Sequence, residues 1–339
     1  MRFFEQQRQA RAQTLRLLLL FAFTLLALVI AVNGALALTW WLVSWQWASY
    51  PAYFFHINTG MTLLFVLGGW WIESSNLGGS GEKLARRAGA REARVMGPLS
   101  RPGTLDAEQK FCNIVSELAI AANMKPPVPM VLDRVDGINA FASGWDEDDA
   151  VVAVTRGALE YLTRDELQGL VAHELSHIRE GDMQLNMQLA GMVSGLEMIF
   201  NLGQSMCEVN KNGSTTFLAL PGFAIKSVGS VGWLAGRVLK AAVSRQREYL
   251  ADARAVQFTR SKEGLGGVLR KALGQGGDGV GIRPLHPSVQ HMLLVAPASG
   301  AHWFDTHPPI AERIRRIYGR PMAALASKDV HAPKADAIF

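Results

Sequence analysis

Apolar and polar positions alternate along this chain in regimes that predict different elements. From Leu17 to Ile72 there is no Asp, Glu, Lys or Arg, a stretch far longer than the ~20 residues one helix needs to cross the hydrocarbon of a bilayer. The pattern predicts two spans, about 17–38 and 52–72, with a turn near Tyr50-Pro51, where proline lacks the N–H that continues a helix. Trp40, Trp41, Trp45, Trp47, Tyr50 and Tyr53 gather around that turn and Trp70-Trp71 close the second span, as interfacial belts do. The first apolar stretch exceeds the apolar core of a cleaved signal peptide, and a second follows at once.

Beyond a glycine-rich joint at Gly78-Gly79-Ser80-Gly81 the spacing changes. Phe111, Ile114, Val115, Leu118 and Ala122 recur at helical intervals after Asp106, predicting a core-facing helix that ends before Pro126-Pro127. Segments 128–132, 139–145 and 150–154 are short, apolar or alternating and bounded by turn residues, which predicts strands. The acidic run Asp146-Glu147-Asp148-Asp149 between the last two reads as a solvated turn, since a calcium loop needs a longer ligand pattern. Thr163-Arg164-Asp165-Glu166 reads as a capping box that starts a helix.

Two later apolar stretches, about 185–206 and 217–239, are interrupted by polar residues: Asn186, Gln188, Glu197, Asn201 and Gln204 in one, Lys226 and Arg237 in the other. Charged residues of this kind cost about 3 kcal/mol each in lipid unless sheltered. Amphipathic or re-entrant helices and a second membrane hairpin therefore both stay open. Gly274 to Gly281 reads as a flexible loop, a last helix is expected from Pro309 to Gly319, and the tail is expected to be poorly ordered.

These segments divide the 339 residues into a basic N-terminus (1–16), a transmembrane hairpin (17–72), a basic juxtamembrane linker (73–103), one globular domain (104–319) and a tail (320–339). The domain is expected to be α+β, mostly helical with a small sheet. Composition adds orientation. The net charge of +5 is largely juxtamembrane, with Arg2, Arg8, Arg11 and Arg16 before the hairpin and Lys83, Arg86, Arg87, Arg91, Arg94 and Arg101 after it. The turn between the spans has no basic residue, so the positive-inside rule puts both flanks in the cytoplasm. The second basic cluster also suits anionic headgroups. No interleaving of aromatic and basic residues points to nucleic acid. Cys112 and Cys207 lack C-x-x-C spacing, which fits a reducing compartment and indicates neither a disulfide framework nor a thiolate zinc site.

The chemistry is concentrated in His173-Glu174-Leu175-Ser176-His177. On a helix, positions i and i+4 share one face, so both imidazoles can reach one metal ion, and the carboxylate of Glu174 can reach a water on that ion. Such a site needs a third protein ligand. In Ser244-Arg245-Gln246-Arg247-Glu248-Tyr249-Leu250-Ala251-Asp252, Glu248 and Asp252 lie one turn apart. Like charges there are tolerable if one binds a cation and the other fixes a ligating histidine; pairing with Arg245 and Arg247 on a solvated face is the competing reading.

The chain resembles the HtpX-like membrane metalloproteases, the family that also includes the CAAX prenyl protease. The resemblance lies in Gly137-Ile138-Asn139-Ala140-Phe141-Ala142, the H-E-x-x-H helix, the downstream E-x-x-x-A-D helix and His307-Pro308-Pro309, in that order between about Asp106 and Ile317. It implies a zincin-like domain with one Zn2+ per chain held by His173, His177 and Glu248, Glu174 as general base, and Asp252 orienting His173. By resemblance His307 either steadies the oxyanion or caps the fold. The strand with Asn139, Ala140, Phe141 and Ala142 resembles an edge that binds an extended peptide, although Phe141 also suits a buried core strand.

The implied function is a membrane-anchored zinc endopeptidase acting on unfolded or damaged membrane proteins at the cytoplasmic face of a bacterial plasma membrane. Two alternatives compete: a membrane-anchored chaperone or interaction module with structural zinc, and a processing protease of the prenyl-peptide type. A site-two type of intramembrane protease is disfavoured by Arg164, Asp165, Glu166, Arg179, Glu180 and Asp182 around the motif, which keep its helix out of lipid.

Overall fold

The computed structural model describes residues 2–44, 49–77, 79–95, 104–208, 219–275, 293–295, 305 and 307–327. Trp45, Trp47, Arg101, His286, His291, His302 and most of the expected loop at 274–281 lie outside the described residues. The chain forms two compact units, Met1–Gly78 with Leu185–Lys240, and Gly79–Gln184 with Ala241–Phe339.

The first unit is helical. It contains α1 (Arg2–Val43), α2 (Phe54–Leu77), most of α7 (Asp182–Cys207) and the first half of α8 (Ala219–Thr259). Leu28 and Val32 of α1, Val66 of α2, Leu196 and Ile199 of α7 and Ile225 of α8 form its core. Small residues let the backbones approach: a Cβ on Gly195 would lie 2.4 Å from the Val66 carbonyl oxygen, and one on Gly229 would lie 2.7 Å from Phe200 N. Asn33 Nδ2 donates to Thr59 Oγ1 at 3.0 Å, tying α1 to α2.

Of the described helices, one is long and apolar enough to cross a membrane, Leu19–Val43 within α1. Leu19, Phe23, Leu26 and Ile30 are exposed along it. The expected second span forms a helix, α2, but His56, Asn58, Thr59 and Thr62 dilute the apolar character of its first half. The turn falls where proline was expected to place it, with Phe54 N donating to Pro51 O.

In the second unit a four-stranded sheet runs in the order β1-β2-β4-β3, from β1 (Arg91–Glu92), β2 (Val128–Leu132), β3 (Ala140–Ser143) and β4 (Val151–Thr155). Strand β2 is parallel to β4, with Val128 opposite Val151, while β3 is antiparallel to β4, with Ala140 opposite Val154. All of β4 is buried, which explains why Val-Val-Ala-Val is continuously apolar and not alternating before the hydrogen-bonded Thr155. Around the sheet lie α3 (Gly81–Arg87), α4 (Thr104–Ala121), α5 (Arg156–Tyr161), α6 (Arg164–Glu180), α9 (Glu263–Gly274) and α10 (Ile310–Tyr318).

Residues 81–92, read from sequence as part of a basic linker, are α3 and β1. Ser80 caps α3 by accepting from Glu82 N, and Leu84, Ala85, Ala88 and Ala90 enter the core with Met130, Phe141 and Val151. Arg91 grips Glu108 of α4 at 2.7 Å and pairs with Asp133. The charges that made this stretch look like a solvated linker are one face of a short amphipathic helix and one half of an ion pair.

Helix α6 begins with the capping box its sequence predicts: Thr163 Oγ1 accepts from Glu166 N and Glu166 Oε2 accepts from Thr163 N. Glu166 also receives Lys271 Nζ of α9 at 2.7 Å. The two helices meet backbone to backbone, since a Cβ on Gly169 would sit 2.3 Å from Leu265 N. Gly169→Ala is therefore expected to push α9 off α6 and to cost about 1–3 kcal/mol, the range for overpacking. A thermal melt checks it, and an unchanged or higher midpoint would contradict this packing.

Candidate metal centre

The capping box and the buried stripe of α6 place His173 and Glu174 deep in the second unit, 1 % and 2 % exposed. One turn apart, the His173 and His177 rings point Nε2 toward Nε2 at 3.2 Å. Helix α8 brings in Glu248, whose Oε1 lies 3.5 Å from His177 Nε2 and Oε2 3.6 Å from His173 Nε2. Ligands held at ~2.0–2.1 Å in a tetrahedral arrangement are separated by about 3.4 Å; the two Nε2 atoms are close to that spacing, and Glu248 meets the two rings with different oxygens. Ligand atoms of His173, His177 and Glu248 all lie within 4.8 Å of one another. Glu248 Oε2 is buried without an aligned hydrogen bond, and Arg313 Nη1 lies 3.1 Å from it.

Each histidine is backed by a carboxylate. His173 Nδ1 lies 3.1 Å from Asp252 Oδ1, although not in line for a hydrogen bond. His177 Nδ1 lies 2.9 Å from Asp182 Oδ2. Each carboxylate is in turn held by an arginine. Arg313 of α10 donates twice to Asp252, at 2.7 and 2.9 Å, and Arg247 Nη1 donates to Asp182 Oδ1. Arg313 has no exposed surface, and its Nη1 also lies 3.1 Å from Glu248 Oε2 and donates to Leu294 O.

Burial opposes a charge on both imidazoles, yet the Asp252 and Glu248 carboxylates outweigh it at His173, and those of Asp182 and Glu248 do so more strongly at His177. Both histidines hold a proton to higher pH than a free imidazole. Burial also works against ionised Glu248 and Asp252, but His307, Arg313 and the histidines hold Glu248 well below the usual carboxylate range, and Arg313 and His173 hold Asp252 below it. Glu174 goes the other way: burial is the largest influence and pushes its carboxyl up. Glu248 is thus held ionised while its neighbour Glu174 is pushed toward its protonated form.

His173, Glu174, His177, Glu248, Asp252 and His307 converge as the sequence suggested, with His307 Nδ1 3.4 Å from Glu248 Oε1. Both α8 carboxylates are buried, so the reading in which Arg245 and Arg247 pair with them on a solvated face does not hold; Arg247 serves Asp182 instead. The β3 side chains of Ala140, Phe141 and Ala142 are core, and Asn139 just before the strand is a buried polar residue. The strand is nevertheless an edge of the β-ladder, and a segment of the same chain occupies part of that edge. Leu294 N donates to Ala140 O, and the Asn139 amide bonds both N and O of Val295. By the alternation of an antiparallel ladder, the next outward-facing backbone groups belong to Ala142.

Three residues escaped the sequence reading. Arg313 left a signal, because Ile310, Arg313, Ile314 and Ile317 share one helical stripe and a cation on an apolar face needs a buried partner. Asp182 follows His177 by five residues, just after Gly181, whose φ of +72° lets the chain turn back toward the histidine. Arg247 carried no separate signal.

A buried H-E-x-x-H helix met by a carboxylate from a second helix, in a cluster that could hold a metal ion, is the arrangement of a metal-dependent peptidase. Residues 106–320 match the family described as Peptidase family M48, and the chain belongs to that family. It is similar to the Protease HtpX homolog of Ligilactobacillus salivarius, 34% identical over 215 residues that cover 60% of this chain and 71% of the relative. The Syntrophobacter fumaroxidans homolog is 35% identical over 226 residues, covering 62% and 76%. That of Dictyoglomus turgidum is 35% identical over 227 residues, covering 64% and 71%. A crystal structure of S. mikatae Ste24p superimposes with a TM-score of 0.44 at 14% identity, covering 93% of this chain and 67% of that one.

Proposed function

We propose that the chain is a zinc endopeptidase in which His173, His177 and Glu248 hold the ion, Glu174 moves the proton, and the substrates are unfolded segments of membrane proteins. The observation that carries this reading is the convergence of His173, His177 and Glu248, whose ligand atoms lie within 4.8 Å of one another beside the buried Glu174. When bound there, zinc supplies Lewis acidity, polarising the scissile carbonyl and lowering the pKa of water to about 7. Glu174 takes the proton of the attacking water and passes it to the leaving amine. Asp252 fixes the ring of His173. His307, with Nδ1 3.4 Å from Glu248 Oε1, would donate to the carbonyl oxygen as charge grows on it.

Extended peptide adding to β3 would use backbone groups and read little side-chain identity, which suits varied unfolded segments. The apolar Leu19–Val43 helix serves as the membrane anchor, with α2 as the returning arm of a hairpin, and the arginines flanking 17–72 favour a cytoplasmic catalytic domain. Names of the relatives, protease HtpX homologs, support proteolysis over a purely structural zinc. A structural site takes four protein ligands, and three cluster among the described residues.

Zinc titrated into chelator-stripped protein is expected to bind once per chain and to restore cleavage of an unfolded polypeptide, with both lost in His173→Ala. The reading fails if that variant keeps stoichiometric zinc, or if chelation leaves cleavage untouched.

A further inference from the structure

His177 differs from its partner histidine in one respect that matters for a ligand. Its side chain retains 12 % exposure against 1 % for His173, so packing alone fixes it less well. What restrains it is a carboxylate on the far side of a helix break. Helix α6 ends at Gly181 in the left-handed region, with the Gly181 N–H donating back to the last turn at His177 O and Ile178 O, and the chain re-enters helix at Asp182. The reversal brings Asp182 Oδ2 to 2.9 Å from His177 Nδ1. Asp182 is 2 % exposed, and its other oxygen receives Arg247 Nη1 from α8, one residue before Glu248.

We infer that Asp182, clamped by Arg247, is a positioning residue for the metal: it fixes the ring plane and tautomer of His177. This rests on the metal site proposed above. A carboxylate can only accept, so it holds the proton on Nδ1 and leaves the Nε2 lone pair for the ion. The clamp has a second consequence. Because Arg247 and Glu248 are consecutive on α8, one helix delivers both the third ligand and the cation that fixes the orienter of the second, so His177 and Glu248 are set in register by a single element.

Asp182→Asn tests the inference with little change in volume. A carboxamide can turn its NH2 toward Nδ1 and favour the tautomer with hydrogen on Nε2, which cannot ligate. Zinc affinity of the full chain, measured by competition with a chelator, is expected to fall about 10–100-fold, the range for loss of an outer partner of a ligand. The Co2+-loaded variant should show a shifted ligand-field spectrum, which a merely structural defect would not produce. Arg247→Lys, keeping the cation, should recover most of the affinity, and Arg247→Gln should not. Unchanged zinc affinity in Asp182→Asn overturns the inference, as does a loss of affinity accompanied by a wild-type Co2+ spectrum. If the wild type binds no zinc, or His177→Ala binds it equally well, the metal site itself is wrong and the inference falls with it.

Discussion

Glu174→Gln is expected to lower kcat for an unfolded polypeptide by about 10²–10⁴-fold, the usual share of a positioned general base, while zinc content stays at the wild-type level. The expectation follows from the division of labour in α6. His173 and His177 aim their Nε2 atoms at each other across the gap that Glu248 closes, and Glu174 is absent from that set of ligand atoms. Its carboxyl is instead pushed up by burial, with the charges of Glu248 and Arg313 and the two histidines acting on it. A carboxamide of the same shape preserves packing and removes only the capacity to take a proton. Single-turnover cleavage alongside zinc analysis separates the alternatives. Full activity in the variant would exclude Glu174 as the base, and loss of zinc would make it a ligand.

Arg313→Met is expected to be the most damaging change to stability, about 3–5 kcal/mol, the cost of removing one partner from a buried ionic cluster. Arg313 is wholly buried among Asp252, Glu248 and Leu294 O. Methionine fills much of the space but leaves two buried carboxylates without their cation. The effect should depend on pH in a defined direction. In the metal-free wild type burial raises the Asp252 pKa, but Arg313 and His173 outweigh it and set it below its ordinary value. A depressed carboxylate contributes stability above its unfolded pKa and loses it as pH falls through its folded pKa. The gap between wild type and variant should therefore be widest near neutrality and narrow below pH ~4, where unfolded carboxylates protonate. Chemical denaturation of both metal-free proteins across that range checks it, and a gap independent of pH would show that Arg313 acts through packing alone.

The parts of this architecture written in local spacing were legible. The capping box at Thr163, the helical face shared by His173 and His177, the turn between Glu248 and Asp252 and the three later strands all depend on residues within a few positions of one another. Errors arose where short-range pattern and long-range environment disagree. The stretch 217–239 reads only as an apolar segment interrupted by Lys226 and Arg237, and its continuation into the ligand helix shows in the structure, where α8 runs unbroken from Ala219 to Thr259 with no proline after Pro221. Residues 81–92 read as a basic linker because half of α3 is charged, while the buried half is visible only once the sheet is present to receive it. The β3 segment reads as an edge for peptide, and the ladder does leave it at an edge. That Leu294 and Val295 would take the Ala140 end could not be read locally, because the Asn139 contact spans 156 positions.

By itself the sequence determined the ligand types, their order and the helices that carry them, since imidazole and carboxylate chemistry and the 3.6-residue turn act locally. Only the tertiary structure decided which charges became the frame of the site. Arg313 could as well have been a solvated helix face and Asp182 a capping residue. Removal from water makes each demand a partner, and folding brings Arg313 to Asp252 across 61 positions and Arg247 to Asp182 across 65.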